Sequence, residues 1–256
     1  MATELVVLRM LAVGVKGKDL LLLREGASHT SVPLEMIEAE GLQDAWQLLT
    51  GIRPMDLVVF DRSLPDDDRD MVADIARKAT KPAFVVLLTD DRTQDTASAT
   101  GADAMATKPA DIKAAQAMID GFVQSQLPRR VMVVDDSATM RSIVKKILGA
   151  SRFPLQLAEA SEGQAALNVI ARSSADIVFL DYNMPGLNGV ETLKALKQSM
   201  PKVRVVIMTS AVDESVASLA RDAGADAFLK KPFYPADVDT VIYGLFGLTP
   251  LVAAKS

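Results

Sequence analysis

Short apolar runs rich in β-branched residues recur along the chain and alternate with stretches whose apolar residues are spaced by three or four. In the second half the runs are VMVV, DIVFL, VRVVIM and ADAFLK. Runs of this kind are typical of parallel strands buried on both faces. Strands that alternate with helices predict a doubly wound α/β sheet with right-handed crossovers. The helical stretches are 137–148, 164–171, 189–198, 214–222 and 235–246.

The pattern occurs twice, at a shift of about 120 residues. The aligned pairs are MDLVVFDRSLP with ADIVFLDYNMP, AFVVLLT with VRVVIMT, and GADAMATKPA with GADAFLKKPF. Such self-similarity indicates an internal duplication, and 256 residues suffice for two α/β domains. The linker contains Leu127-Pro128, where a helix is expected to end. We expect a first domain over 1–124, a linker over 125–130, a second domain over 131–247 and a C-terminal tail over 248–256.

Polar residues follow four strands of the second copy. Asp135 and Asp136, Asp181, Thr209 and Lys231 are separated by 45, 28 and 22 residues from Asp136 onward. In doubly wound sheets ligands bind beyond the carboxyl ends of the strands, so these side chains should share a pocket. Three neighbouring carboxylates require a cation, and Mg²⁺ is the oxygen-binding ion that phosphate commonly completes. This chemistry suits phosphoryl transfer to an Asp carboxylate, with the Lys and Thr contacting the phosphoryl oxygens.

The motifs VVDDSATMR, FLDYNMPG, IMTSA and FLKKPF, in this order and spacing, resemble the receiver domain of two-component response regulators of the chemotaxis-regulator type. The resemblance covers about residues 129–247. It implies a flavodoxin-like fold with a five-stranded parallel sheet of order 2-1-3-4-5, which the repeat extends to the first copy. It also implies the roles of the site residues: Asp181 as phosphoacceptor, Mg²⁺ held by Asp135, Asp136, Asp181 and the backbone carbonyl of Asn183, and Thr209 and Lys231 as contacts of the phosphoryl group.

The resemblance further implies a conformational switch and a set of partners. The ring of Phe228 would move inward when Thr209 is drawn toward the phosphoryl group, and the Lys231-Pro232 peptide bond would be cis. The donor would be a histidine kinase or a phosphotransfer protein, and the altered surface would bind a downstream protein target. We expect no enzymatic activity beyond the chain's own phosphorylation and dephosphorylation.

The first copy lacks the acidic pair. Asp61, Thr89 and Lys108 occupy matching positions, but the segment Gly14–Gly17 stands where the two acids should be, and Met105 replaces the aromatic residue. We expect Lys16 or Lys18 to pair with Asp61 instead of a metal. The shorter spacing between Thr89 and Gly101 predicts a shortened or absent fourth helix. We interpret residues 1–124 as a degenerate receiver used for docking, homodimerisation or regulation.

Composition narrows the remaining possibilities. The net charge is −5 and the basic residues are scattered, which argues against nucleic-acid binding. Cysteine is absent and His29 is the only histidine, so no zinc site is expected. No apolar run reaches the ~18 residues of a membrane span, and we expect a cytoplasmic protein. After Gly247 only LTPLVAAKS follows, so we expect no output domain and either a protein target or a role as phosphate sink or relay.

Two other interpretations are open at this stage. Haloacid-dehalogenase-like phosphatases also use Asp, Thr or Ser, Lys and Mg²⁺, but their nucleophile lies in a DxD motif on the first strand, where this chain has Asp135-Asp136-Ser137. Alternatively, each polar residue taken singly is a helix cap or a solvated loop residue. The joint spacing favours the receiver hypothesis.

Overall fold

The computed structural model of the chain describes residues 7–90, 101–186, 188–210, 214–246 and 249–250, and all structural statements concern these residues. By its internal contacts the chain divides into two compact units. Unit 1 comprises Met1–Gln126 together with Phe246–Ser256, and unit 2 comprises Leu127–Leu245. The segment in which we predicted the short fourth helix of the first copy, 91–100, lies outside the described residues.

Unit 1 is built around a sheet of order β11-β5-β4-β3-β1-β2. The first five strands in the chain are parallel in the predicted order 2-1-3-4-5, and β11 adds an antiparallel strand to the outer edge of β5. This sixth strand was not predicted, and it falls inside the segment that we expected to be a tail. The elements are β1 Leu8–Val13, α1 Gly17–Ser28, β2 Leu34–Ala39, α2 Leu42–Leu49, β3 Leu57–Asp61, α3 Asp66–Lys78, β4 Phe84–Thr89, β5 Ala104–Thr107, α4 Ile112–Gln126 and β11 Thr249–Pro250.

Unit 2 contains a five-stranded parallel sheet of order β10-β9-β8-β6-β7, which again is the predicted order 2-1-3-4-5. Its helices agree with the predicted stretches to within a residue or two at each end. The elements are β6 Arg129–Val134, α5 Ala138–Gly149, β7 Leu155–Ala160, α6 Gly163–Arg172, β8 Ile177–Asp181, α7 Gly189–Ser199, β9 Arg204–Thr209, α8 Glu214–Asp222, β10 Ala227–Lys230 and α9 Pro235–Leu245.

The central strands carry the hydrophobic core of each unit. All five residues of β3 and of β8 are buried, as are all six of β4, because parallel strands with helices on both faces have no solvated side. Edge strands β2 and β7 are mostly half-buried or exposed. The flavodoxin-like fold is therefore confirmed for both copies. Among the described residues no helix is both long and apolar enough to cross a bilayer.

The duplication is visible in the strand register. Leu8 pairs with Leu34 in unit 1, and Arg129 pairs with Leu155 in unit 2, so both positions are displaced by the same 121 residues (129 − 8 and 155 − 34). The backbone bond from Gly14 N to Ala39 O has its counterpart in that from Asp135 N to Ala160 O. Residues of the two units can therefore be compared position by position.

Helices α1 and α4 of unit 1 approach most closely at Gly26. A Cβ on Gly26 would lie 2.8 Å from both Ala115 Cβ and Gln116 N, which is shorter than any normal contact. The backbones of the two helices can approach this far only because Gly26 has no side chain.

Gly26→Ala should destabilise unit 1 by about 1–3 kcal/mol, since the added methyl group forces the helices apart. Urea unfolding followed by fluorescence would measure this, because Trp46 in α2 is the only tryptophan in the sequence. Gly41→Ala is the matched control within the same unit, as a Cβ at this position before α2 meets nothing within 4 Å. An unchanged Trp46 transition in Gly26→Ala would contradict the packing argument.

Candidate functional site

The three carboxylates of unit 2 lie together at the carboxyl ends of adjacent strands. Asp135 and Asp136 follow β6, Asp181 ends β8, and these strands pair side by side with Val134 opposite Leu180. One carboxylate oxygen from each of the three acids lies within 4.8 Å of the others. Asp135 is 1% exposed and Asp181 is 7% exposed, whereas Asp136 is exposed. The sheet topology thus forces like charges into one partly buried cluster.

Lys231 supplies the cation of this cluster. Its Nζ lies 2.8 Å from Asp135 Oδ2 and 2.9 Å from Asp181 Oδ1. Its backbone N donates to Thr209 O at 2.8 Å, which continues the pairing of β10 with β9 and fixes where the side chain begins. The Lys231 side chain is 15% exposed, so it is not the solvated loop lysine of the alternative interpretation.

The cluster shifts the pKa values of its members. Burial raises the pKa of Asp181, the charges of Asp135 and Asp136 raise it further, and the hydrogen bond from Lys231 offsets only part of this. Burial alone would lower the pKa of Lys231, but its bonds to Asp135 and Asp181 hold that pKa above its ordinary value. Lys231 is therefore positively charged at neutral pH, and the ionised form of Asp181 is disfavoured by its surroundings.

The other predicted residues surround this cluster at different depths. Thr209 is 2% exposed at the end of β9, and Asn183 is exposed two residues beyond Asp181. Phe228 is half-buried against the core, with Arg221 Cζ 5.9 Å from its ring centroid. The Lys231-Pro232 peptide bond is cis, as the resemblance implied. The roles assigned to these residues remain predictions.

The matching site of unit 1 holds a lysine among carboxylates. Lys108 Nζ lies 2.9 Å from Asp61 Oδ2, 3.3 Å from Asp19 Oδ2 and 3.4 Å from Asp90 Oδ1. Asp61 and Thr89 are buried, at 4% and 2% exposure. Among the described residues, only Asp135, Asp136 and Asp181 form a carboxylate cluster with metal-ligand spacing.

The cation that pairs with Asp61 differs from the one we expected. Lys16 and Lys18 are exposed, and Lys108 makes the ion pair. The reason is geometric: Lys108 follows β5 with its backbone N bonded to Thr89 O at 2.9 Å, as Lys231 is placed in unit 2. Lys16 directly precedes α1 and Lys18 lies in its first turn, and neither is placed by strand pairing in this way.

Both oxygens of Asp61 are occupied. Oδ1 accepts from Ser63 N at 2.8 Å, and Oδ2 faces Lys108. Burial would raise the pKa of Asp61, but the hydrogen bonds from Lys108 and Ser63 outweigh it and hold this pKa below its ordinary value. Burial would lower the pKa of Lys108, but the neighbouring carboxylates outweigh it and hold this pKa above its ordinary value. In unit 2, by contrast, no hydrogen bond to Asp181 Oδ2 occurs among the described residues.

Asp19 is the residue of this cluster whose place the sequence did not reveal. It lies in the first turn of α1, where an acid ordinarily complements the helix dipole. Its position three residues after Lys16 gave no match to the acidic pair of the second copy. Only the three-dimensional path of α1 brings its carboxylate to Lys108.

The sheet order and the carboxylates at the strand ends place both units in the flavodoxin-like class of doubly wound α/β domains. The second unit can be identified more closely, because residues 131–243 match the family model of the response regulator receiver domain. Unit 2 is a receiver domain of the response regulators.

Curated relatives agree with this identification. The chain is 41% identical over 106 residues to protein-glutamate methylesterase/protein-glutamine glutaminase 5 of Myxococcus xanthus, covering 41% of this chain and 30% of that protein. It is 37% identical over 109 residues to response regulator MprA of Mycolicibacterium vanbaalenii, covering 42% of this chain and 46% of that protein. With the nitrate/nitrite response regulator NarL of Escherichia coli it shares 29% identity over 141 residues, covering 52% and 65%. The chain thus spans less than two thirds of the length of each of these relatives.

The likeness of fold extends over both units. A solved structure described as a "probable two-component system response regulator/GGDEF domain protein" matches 94% of this chain and 99% of its own, with a TM-score of 0.56 and 21% identity. At this identity the match concerns the fold alone.

The opposite pKa shifts of Asp181 and Asp61 predict opposite effects of neutralising them in metal-free protein at neutral pH. Asp61→Asn should destabilise unit 1 by roughly 1–3 kcal/mol, since a charge-assisted bond is lost. Asp181→Asn should stabilise unit 2, since a disfavoured charge is removed. Urea unfolding in EDTA, followed by Trp46 fluorescence for unit 1 and amide resonances for unit 2, would measure both.

As the pH falls, the effect of the Asp181 charge on stability begins to disappear at a higher pH than that of the Asp61 charge. The folded pKa of Asp61 is lowered, so its contribution is complete above the ordinary value of 3.8 and is lost as the pH falls through the lower folded value. The folded pKa of Asp181 is raised, so its penalty begins to decrease as the pH falls through that folded value and is gone below the ordinary value of 3.8. Equal signs for the two variants at neutral pH would contradict the assignment.

Proposed function

We propose that unit 2 accepts a phosphoryl group on Asp181 from the phosphohistidine of a histidine kinase or phosphotransfer protein. The observation that carries the proposal is the carboxylate cluster of Asp135, Asp136 and Asp181, with Lys231 Nζ 2.9 Å from the Asp181 carboxylate. The match of residues 131–243 to the receiver family supports it.

Asp181 is suited to act as the nucleophile. Lys231 engages Oδ1, while Oδ2 accepts no hydrogen bond from the described residues. A carboxylate oxygen attacks phosphorus, the P–N bond to the donor imidazole breaks, and the imidazole leaves with the electron pair. Because three acids confront one lysine, the charge of an arriving phosphoryl group must be offset by a further cation.

The donor set fits Mg²⁺. Carboxylate oxygens from Asp135, Asp136 and Asp181 lie close enough to share one ion, and oxygen is the ligand that this ion prefers. These residues, with the backbone carbonyl of Asn183, would hold it. When bound, Mg²⁺ would neutralise carboxylate charge and orient phosphoryl oxygens.

Lys231 and Thr209 complete the site. The Lys231 ammonium is fixed at the edge of the cluster and would pair with a phosphoryl oxygen. The Thr209 hydroxyl would donate to another, and the accompanying shift would let the half-buried ring of Phe228 move inward. The surface that follows β9 would then change and bind a downstream protein target, or phosphorylation would serve as a sink or relay.

Unit 1 is proposed to act without phosphorylation. The Lys108 ammonium stands among Asp61, Asp19 and Asp90, and both Asp61 oxygens are engaged. Since the described acids of unit 1 do not have metal-ligand spacing, we infer that unit 1 serves docking, homodimerisation or regulation.

Asp181→Asn should abolish incorporation of label from phosphorylated donor or from acetyl phosphate in the presence of Mg²⁺, whereas Asp61→Asn should leave incorporation unchanged. The amide resonances of Thr209 and Phe228 should shift when beryllofluoride and Mg²⁺ are added to the wild-type chain. Unshifted resonances together with an unlabelled wild type would defeat the proposal. Label lost in Asp61→Asn would show that unit 1 is active, and turnover of small phosphate esters would favour a phosphatase.

A further inference from the structure

Arg141 lies behind the acidic pair and contacts its backbone. The guanidinium Nη1 donates to Asp135 O at 2.7 Å and reaches Asp136 O at 3.4 Å. The side chain is 15% exposed. Its Nε is buried and makes no hydrogen bond within the described part of the chain, although Glu159 Oε2 lies 3.4 Å away. The hydrogen bonds of this arginine are therefore directed at the two carbonyls.

The two carbonyls belong to the peptide groups on either side of Asp136. Holding these peptide groups fixes the direction in which the Asp136 side chain leaves the backbone. Asp135 is also held through its carboxylate, which accepts from Ser137 N at 2.9 Å and from Lys231. The exposed Asp136 carboxylate, by contrast, accepts no hydrogen bond from the described residues. Its position in the cluster therefore depends on the backbone that Arg141 holds.

Unit 1 provides an internal control. With the displacement of 121 residues, Arg141 corresponds to Leu20, and the acidic pair corresponds to Gly14 and Val15. The neighbouring ion pair is kept in both copies: Lys145 Nζ lies 3.1 Å from Glu159, and Arg24 Nη2 lies 2.6 Å from Glu38. The ion pair that joins the first helix to the second strand is present in both copies. An arginine at the position of Arg141 is present only in the copy that has the acidic pair.

We propose that Arg141 is a positioning residue, which holds the Asp135-Asp136 backbone so that the Asp136 carboxylate faces the shared metal position. The role of this positioning in phosphoryl transfer rests on the proposed function. The positioning itself does not depend on transfer. Arg141 touches neither the metal position nor Asp181 in the described contacts, so it acts through the two acids.

The positive charge of Arg141 would by itself weaken Mg²⁺ binding, whereas holding the carbonyls strengthens it. If Arg141 acted mainly by its charge, neutral substitution would strengthen Mg²⁺ binding by relieving repulsion. If it acts by holding the carbonyls, substitution weakens binding, and a neutral donor restores part of it. Arg141→Met and Arg141→Gln remove the charge equally, but only the glutamine can donate to a carbonyl.

The experiment measures Mg²⁺ dissociation constants of the full chain by titration of amide resonances. Arg141→Met should weaken binding by roughly tenfold or more, as is typical for groups that orient metal ligands. Arg141→Gln should recover part of the loss. Lys145→Met, which removes a cation from Glu159 without touching the carbonyls, should leave the constant unchanged.

A second measurement needs no metal. In metal-free protein the Ser137 amide, which donates to Asp135, should exchange with solvent faster in Arg141→Met than in the wild type or Lys145→Met. Unchanged exchange and unchanged Mg²⁺ affinity in a folded Arg141→Met would overturn the inference, and so would tighter binding in both neutral variants. If the variants differ from the wild type in these ways but the wild type takes no phosphoryl label, only the phosphoacceptor proposal is refuted.

Discussion

The arrangement of both sites depends on the need to neutralise carboxylates that parallel strands bring together. Neighbouring strands end at the same edge, so an acid at each end cannot avoid its neighbour, and burial makes the repulsion stronger. In each unit a lysine after the fifth parallel strand meets this need, at 2.9 Å from the central Asp. The two units differ in how the acids meet the lysine: Lys108 lies within 3.4 Å of Asp61, Asp19 and Asp90, whereas in the described ion pairs Lys231 meets Asp135 and Asp181 but not Asp136.

Acids with a structural role are retained in both copies and can be separated from those of the site. Asp56 and Asp176 accept from the backbone N of Arg9 and Arg130 at the same distance of 2.8 Å. A similar match joins Asp103 in one copy and Asp226 in the other, which accept from Val85 N and Val205 N. Duplication therefore preserved the carboxylates that tie strands together, while the acidic pair exists in one copy only.

The sequence predicted those features that periodicity and strand position determine. The buried runs predicted the strands, the resemblance to receiver domains implied their order, and the residues at the ends of β6, β8 and β10 gave the members of the carboxylate and lysine cluster. Contacts made by helix side chains could not be foreseen. Asp19 reaches Lys108, and Arg141 reaches the carbonyls, through the direction of their helices, which no spacing of residues in the chain encodes. The partner of Asp61 was mistaken for a different reason: Lys16 and Lys18 stand beside the position of the missing acids, whereas the ion pair is made by Lys108, which follows β5.

The antiparallel pairing of Thr249–Pro250 with β5 makes unit 1 discontinuous in sequence, with all of unit 2 inserted between its parts. During synthesis the outer edge of β5 would keep unpaired backbone groups until the segment after unit 2 emerges. Such an edge is open to pairing with other chains. Unit 1 therefore needs the segment that follows the receiver domain to complete its sheet, although the two units have separate cores.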